Sequence, residues 1–304
     1  MKTALATLCI GDHAINWERH LEASWRSYVR KHGYDLVRFD RPFDESPEAA
    51  GRKLAWQKML LLEQPALAAY DRVVWVDCDI FINHLTAPPI DAGLDPDKIA
   101  ICEETPYPSD PILATGRARA AAKIDASLAK IFGDAKGGDL YALNGFPGFA
   151  GPLLNNGVFV CGRREHAGFM RAVYEKYRDR GRAGAAFEMV PFSYELVTQS
   201  RYQLLDPRFN VIYAKLMLTI LNLQTEDPLV NGQIAFVAGA VANSYFLHFA
   251  GRHTEIRFCR FLNLENGRVE LDREAIAGRL RDHTVPNYLG SPPPRQVSRS
   301  PKRS

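Results

Sequence analysis

The sequence predicts an α/β fold, a mostly parallel twisted sheet of Rossmann-like winding with helices on its faces. Three observations point there. Apolar runs of strand length at Ala4–Ile10, Val73–Val76, Ile99–Cys102 and Leu154–Gly162 alternate with stretches of helical period, the pattern of strands buried on both faces. The opening reads strand, helix, strand, which predicts a right-handed crossover. The run Val73-Val74-Trp75-Val76 ends in Asp77-Cys78-Asp79, and two carboxylates suit the carboxyl end of a strand, where an open sheet has its ligand crevice, better than its core.

Taken in order, Ala4–Ile10 is the first strand and closes on Gly11-Asp12. One helix is expected from about Trp17 to His32, with Asn16 as N-cap, Gly33 as the stop, and Trp17, Leu21, Trp25, Tyr28 and Val29 along one face. Tyr34–Phe39 returns as a strand, Arg41–Ala50 is a loop, and Gly51 to about Gln64 is expected as a helix with Leu54, Leu61 and Leu62 inward and Arg52, Lys53 and Lys58 on other faces. The acidic strand follows, then Ile99–Cys102 ending in Glu103-Glu104. An Ala-rich helix is expected from Thr115 to Phe132, stopped by Gly133. A Gly/Pro-dense loop from Gly137 to Pro152 suits a pocket lip. Leu154–Gly162 is a strand that begins with polar amides, followed by a helix carrying Phe169, Met170, Val173 and Tyr177 on one face, a compact segment Phe187–Ser200, and a short helix from Ala214 to Leu221. A last helix is expected from Asp272 to Asp282.

The 304 residues, 46% of them hydrophobic, suffice for one full core. One domain is expected over 1–288, with a disordered basic Pro/Ser/Arg tail over 289–304. A net charge of +3, from 38 basic and 35 acidic residues, is too balanced for a nucleic-acid partner. Five scattered cysteines without a C-x-x-C pair suggest a reducing compartment and small buried thiols. Gly11-Asp12-His13 cuts short the only apolar run near the N-terminus that resembles a leader, and no segment is long enough to span a bilayer. A cytoplasmic protein is expected, with peripheral membrane contact open to the basic tail.

Asp77 and Asp79 stand two residues apart, so a strand would turn both carboxylates to one side, where a divalent cation could relieve their repulsion. A turn that merely ends a strand is the other reading of the same residues. The first strand end has no G-x-G-x-x-G, and G-x-x-x-x-G-K-[ST] is absent, which removes dinucleotide and P-loop readings.

Asp77-Cys78-Asp79, then Asn155-Asn156-Gly157-Val158-Phe159, then His248-Phe249-Ala250-Gly251, together resemble the GT-A glycosyltransferases. The likeness is strongest to the glycogenin and lipopolysaccharide galactosyltransferase-like family and to the α-galactosyl/α-xylosyltransferase family, whose W-x-K resembles Trp56-Gln57-Lys58. The resemblance spans Ala4 to His253 and implies transfer from a nucleotide-diphosphate sugar, expected to be a UDP-sugar, to a hydroxyl of a glycan, glycolipid or protein, with retention. It implies Mn²⁺ (or Mg²⁺) held by Asp77, Asp79 and His248, a mixed oxygen and imidazole set that suits Mn²⁺ better than Ca²⁺. It places the nucleoside at Cys9, Ile10 and Gly11; beside Asp77 and Cys78, the chemistry of the residues offers Lys58, Gly251, Arg252 and His253 to the phosphates, and Asn155 and Gly157 to the sugar, as candidate donor contacts. Where the first family carries a Lys six residues after its His, this chain has Thr254, and where that family carries an Asp-Gln pair, this chain has Glu188 and Glu195, either of which could orient the sugar or the acceptor hydroxyl, with a role as base also open.

The residues alone leave alternatives. His248 also suits a packed core histidine, Lys58 a partner for a carboxylate of the Asp-x-Asp or a solvated helix position, Asn155-Gly157 a turn before a strand, and Arg252-His253 a surface pair. At the level of function, a sugar nucleotidyltransferase shares the architecture but would carry a Gly-rich basic loop where Gly11-Asp12-His13-Ala14 stands. A phosphohydrolase would want more His and Asp ligands, and a non-catalytic sugar-nucleotide or glycan binder would bind without turnover.

Overall fold

The computed structural model describes residues 1–104, 140–179, 188–220, 230–264 and 268–272. The helix expected from Thr115 to Phe132 with its Gly133 stop, the Gly137-Gly138 pair, the helix expected to reach Asp282 and the basic tail lie outside the described residues. Among those described, six strands form one sheet: β1 (Thr3–Leu8), β2 (Asp35–Phe39), β3 (Arg72–Val76), β5 (Ile99–Glu103), β6 (Leu154–Gly162) and β7 (Tyr202–Leu204), in the order β2-β1-β3-β6-β5-β7. β1 runs parallel to β2 and β3, and β5 parallel to β7, while β6 is antiparallel to both of its neighbours. A second, three-stranded sheet is built from β4 (Ile80–Ile82), β9 (Phe246–His248) and β8 (Val211–Ile212).

The main sheet is covered on both faces, which is why its strands read as unbroken apolar runs. Leu5, Val74, Val76, Val158 and Val160 pack with Trp17, Trp25 and Tyr28 on one face. Ala4, Ala6, Val73, Trp75, Phe159 and Cys161 pack with Trp56, Met170 and Phe192 on the other. Trp17, Trp25 and Trp56 are wholly buried; burial of 150–250 Å² of aromatic surface is worth roughly 4–6 kcal/mol of transfer free energy at ~25 cal/mol per Å².

Two helical expectations change. The single helix from Trp17 to His32 is two, Asp12–His20 and Glu22–His32, divided at the buried Leu21. Gly11, at φ 59°, opens the first, so Asn16 lies within a helix and caps nothing. The break lets Trp17 and Trp25 meet edge to face at 5.6 Å; Leu21 continues the apolar face through the break, and periodicity therefore hides it. Between Gly51 and Gln64 the chain forms a 3₁₀ helix, Leu54–Glu63, preceded by the turn Pro47–Ala50 that Ser46 caps. Three residues per turn align Ala55, Lys58 and Leu61. Leu54, expected inward, is 42% exposed, and Lys58, expected on an outer face, is 4% exposed. The helix after β6, Arg163–Lys176, buries Met170 and Val173 as expected, with Phe169 and Tyr177 half-buried against the same cluster and Tyr174 and His166 buried besides. No helix among the described residues is long and apolar enough to cross a membrane. All five cysteines are free, and only Cys78 is not fully buried.

Candidate active site

The acidic turn is the point where the chain leaves one sheet for the other. β3 stops at Val76, the Asp77 N–H still donates to Gly157 O at 2.8 Å, and β4 begins at Ile80 in the second sheet. Register then does the assembly. Ile80 pairs with His248, and the Phe249 N–H donates to Asp79 O at 3.0 Å, so Asp79 and His248 are neighbours across β4 and β9. Val76 pairs with Val158, which puts Asp77 beside Asn156 and Gly157 of β6. His248 Nε2 lies 3.2 Å from Asp79 Oδ1 and 4.0 Å from Asp77 Oδ2, and one ligand atom from each of the three falls within 4.8 Å of the others.

Around an octahedral ion with ligands about 2.1 Å away, donors stand roughly 3–4 Å apart, so the spacing suits one cation. The two sheets therefore converge the acids on the imidazole by a crossing, where a single strand of period two would have been the simplest expectation. Burial alone would lower the pKa of His248, but the Asp79 carboxylate, with help from Asp77, raises it above its ordinary value. Burial would likewise raise the pKa of Asp79, and His248 followed by His253 outweigh it, bringing it down to about 2. A proton shared in that pair is what a metal ion would displace.

Lys58 supports Asp77 from within the protein. Its Nζ donates to Asp77 Oδ1 at 2.9 Å and Oδ2 at 3.2 Å and to Asn156 O at 3.3 Å, and pairs with Glu188 Oε1 at 3.2 Å. Trp75 Nε1 adds a bond to Asp77 Oδ1 at 2.7 Å. Burial works against the ammonium, yet Asp77 and Glu188 hold its pKa above the ordinary lysine value. Glu188 is 3% exposed and accepts from Asn156 Nδ2 at 3.1 Å. Burial, and behind it the negative Asp77, raise its pKa against the pull of Lys58.

Asn155 and Gly157 act on His248. A Cβ on Gly157 would lie 2.5 Å from His248 Cε1, so the glycine makes room for the imidazole ring. Asn155 bonds inside the protein: its Oδ1 accepts from the Gly157 N–H at 2.8 Å and from Asn210 Nδ2 at 2.7 Å, and its Nδ2 donates to Glu104. A cavity of about 210 Å³ opens beside the acidic turn, walled by Leu8 and Ile10 from the end of β1, by His13, Leu54 and Ala55, and by Lys58, Trp75 and Asp77 to Asp79. Cys9 is wholly buried in the core, while Gly11 is exposed at the head of the first helix. The Cys78 thiol has its pKa raised by a bond with Cys9 and by burial.

Gly251 turns the chain at φ 69°, Arg252 reaches Glu255 at 3.4 Å, and His253 Nδ1 stands 3.4 Å from Asp79 Oδ2, its ring edge to face with His13 at 4.5 Å. Thr254 Oγ1 donates to Glu255 at 2.6 Å. Glu195 is placed elsewhere: it bonds Lys176 at 2.7 Å, Gln199 at 2.7 Å and Tyr177. The site also contains His13, Glu104, Asn210 and Lys215, which pattern reading did not single out. Glu104 carried a signal, since it ends an apolar strand as Asp77 does; Asn210 and Lys215 carried none.

No protein-family model matches the sequence, and no curated protein matches it. Solved structures do resemble it. A glycosyltransferase involved in glycosylation of the major capsid of PBCV-1 shares 14% identity over 86% of this chain and 99% of its own, with a TM-score of 0.50. The galactosyltransferase LgtC, in complex with donor and acceptor sugar analogues, aligns at 11% identity over 90% of this chain and 99% of its own, TM-score 0.41. Mouse xyloside xylosyltransferase 1 aligns at 10% over 82% and 97%, TM-score 0.38. The first likeness carries the fold and nothing finer; the other two align too loosely to add to it. The fold is thus that of the GT-A glycosyltransferases, as the motifs implied, and it carries an Asp-x-Asp turn and a histidine grouped so that they could hold a metal.

Proposed function

We propose that the protein is a metal-dependent glycosyltransferase that moves a hexose from a nucleotide-diphosphate sugar, a UDP-sugar, to a hydroxyl of a glycan, glycolipid or protein with retention of configuration. The observation that carries this reading is the convergence of Asp77, Asp79 and His248 beside a cavity at the end of β1 in a GT-A fold. A bound Mn²⁺ or Mg²⁺, held by the two carboxylates and His248 Nε2, would supply positive charge against the charge that develops on the leaving diphosphate.

The chain's own groups do the rest. Leu8, Ile10 and Leu54 offer the nucleoside an apolar wall, with the exposed backbone at Gly11 alongside. Lys58 and Trp75 both bond Asp77 Oδ1, and Lys58 also reaches Oδ2, the oxygen on the His248 side. His13, which lines the cavity, and His253, beside Asp79, would donate to phosphate oxygens, with Arg252 a further donor if released from Glu255. Glu188 supports Lys58, and Glu195 ties its helix to the one that carries Lys176 and Tyr177. We place the protein in the cytoplasm, with the basic tail available to an anionic membrane.

The test is a panel of sugar nucleotides in Mn²⁺, Mg²⁺ or chelator, following release of nucleotide diphosphate and transfer to added acceptors. Metal-dependent transfer supports the reading. Donor binding without turnover would instead identify a binding protein, release to water alone a hydrolase, and pyrophosphate exchange a nucleotidyltransferase.

A further inference from the structure

The metal candidates account for one side of the His248 ring only. The other nitrogen, Nδ1, lies 2.9 Å from Asn210 Oδ1, at the end of a buried chain of hydrogen bonds that no feature of the sequence announced. The direction of every bond in that chain is fixed by two donors that cannot reverse. Lys215 Nζ can only donate, and it does so to Glu104 Oε1 and, at 3.1 Å, to Glu104 O. The backbone N–H of Gly157 can only donate, and it does so to Asn155 Oδ1. Asn155 is thereby oriented twice over: its oxygen faces Gly157, and its Nδ2 faces the Glu104 carboxylate. Its oxygen also meets Asn210 at 2.7 Å, so the Asn210 group there is the donating amide and the Asn210 oxygen faces His248. An amide oxygen accepts only, so this contact calls for the proton on Nδ1, against the pull of Asp79 Oδ1, which stands 3.2 Å from Nε2.

We propose that the buried chain Lys215–Glu104–Asn155–Asn210 holds neutral His248 in the Nδ1–H form with the Nε2 lone pair aimed into the space beside Asp77 and Asp79, so that Asn210 and Asn155 are positioning residues. A hydrogen bond on one imidazole nitrogen sets which nitrogen is left to a ligand. His248 is 4% exposed, Asn210 7% and Asn155 8%, so the inner links of the chain are buried, while the Lys215–Glu104 pair at its far end is half-buried. Gly157 serves it twice, through its N–H and through the missing Cβ against which the ring rests. This inference rests on the metal reading for its purpose but not for its content: the tautomer is a property of the metal-free protein.

The experiment measures the two separately. Protein labelled with ¹⁵N in the histidine rings, metal-free and at an alkaline pH where the His248 ring is neutral, is compared by long-range ¹H–¹⁵N correlation with Asn210→Leu and Asn210→Asp, and each is titrated with Mn²⁺. The expected wild-type pattern has Nδ1 protonated and Nε2 bare. Asn210→Leu, which offers no acceptor, should lose that preference and weaken Mn²⁺ binding on the order of 10- to 100-fold, whereas Asn210→Asp, which still accepts from Nδ1–H, should keep both within a few-fold. A wild-type ring protonated at Nε2 would overturn the proposal, as would an Asn210→Leu ring that stays fully in the Nδ1–H form. A wild-type protein with the Nδ1–H ring but no Mn²⁺ affinity would uphold the positioning chain and refute the metal reading alone.

Discussion

Replacing Gly157 by alanine is the most economical probe of the site, because the consequence can be worked out atom by atom. The residue does not have a positive φ, so alanine meets no backbone strain, and only the space is wrong. The new Cβ would lie 2.5 Å from His248 Cε1, 2.8 Å from Nδ1 and 3.0 Å from Asn155 Oδ1. To reach ordinary contact the ring must retreat by about 1 Å. It is held at 2.9 Å by Asn210 on one side and at 3.2 Å from Asp79 on the other, so a shift of that size breaks one of the two. Overpacking of this kind costs about 1–3 kcal/mol, and at roughly 2–4 °C per kcal/mol for large domains the melting temperature should fall by several degrees. Mn²⁺ affinity should fall further than stability does, since the ligand atom itself moves. Melting curves with and without metal, alongside Mn²⁺ titration, measure both. An alanine variant with wild-type melting and wild-type Mn²⁺ affinity would refute the claim that Gly157 exists to seat the ring.

Four other outcomes are expected. Asp79→Asn and His248→Ala should fold but bind Mn²⁺ weakly and lose on the order of 100-fold or more in transfer rate, by analogy with the loss of one transition-state contact; unaltered Mn²⁺ affinity in a folded Asp79→Asn would remove the metal site. Lys58→Met leaves Glu188 and Asp77 without their buried cation and should cost about 3–5 kcal/mol, of which Lys58→Met with Glu188→Gln should recover part; no recovery in denaturant melts would show that Glu188 is not the stranded charge. The pKa of Glu104 is lowered, burial notwithstanding, by Lys215 and Asn155. A depressed carboxylate adds stability that is present above its unfolded value, ordinarily 4.5, and is lost as pH falls from there through the lower folded value, so Glu104→Gln should flatten the acid limb of stability against pH in that window below 4.5, and an unchanged acid limb would contradict the ion pair. Uridine diphosphate should raise the melting temperature in Mn²⁺ and much less in chelator; stronger protection by guanosine or cytidine diphosphate would replace the base while leaving the metal in place.

The division between what the chain spells out and what folding adds is clear in this protein. Val73 to Val76 followed by Asp77 and Asp79 announces a buried strand opening onto a site, because hydrophobicity and charge are local properties and the strand period is short. Five of the six strands of the main sheet and the stop at Gly33 were legible for the same reason, whereas the short, half-exposed β7 (Tyr202–Leu204) has no apolar run to announce it. The helix break at Leu21 and the burial of Lys58 were not. A break in a helix whose apolar face continues through it leaves the pattern intact, and a lysine's burial depends on the carboxylates it finds, here Asp77 from the strand and Glu188 from the head of a distant helix. The sequence could name His248 only by resemblance, since its neighbourhood with Asp79 comes from the pairing of β4 with β9. Asn210 and Lys215 could not be named at all. A hydrogen bond's partner and direction are set by register across two sheets, and no spacing along a single chain encodes the proton that this network leaves on Nδ1 of His248.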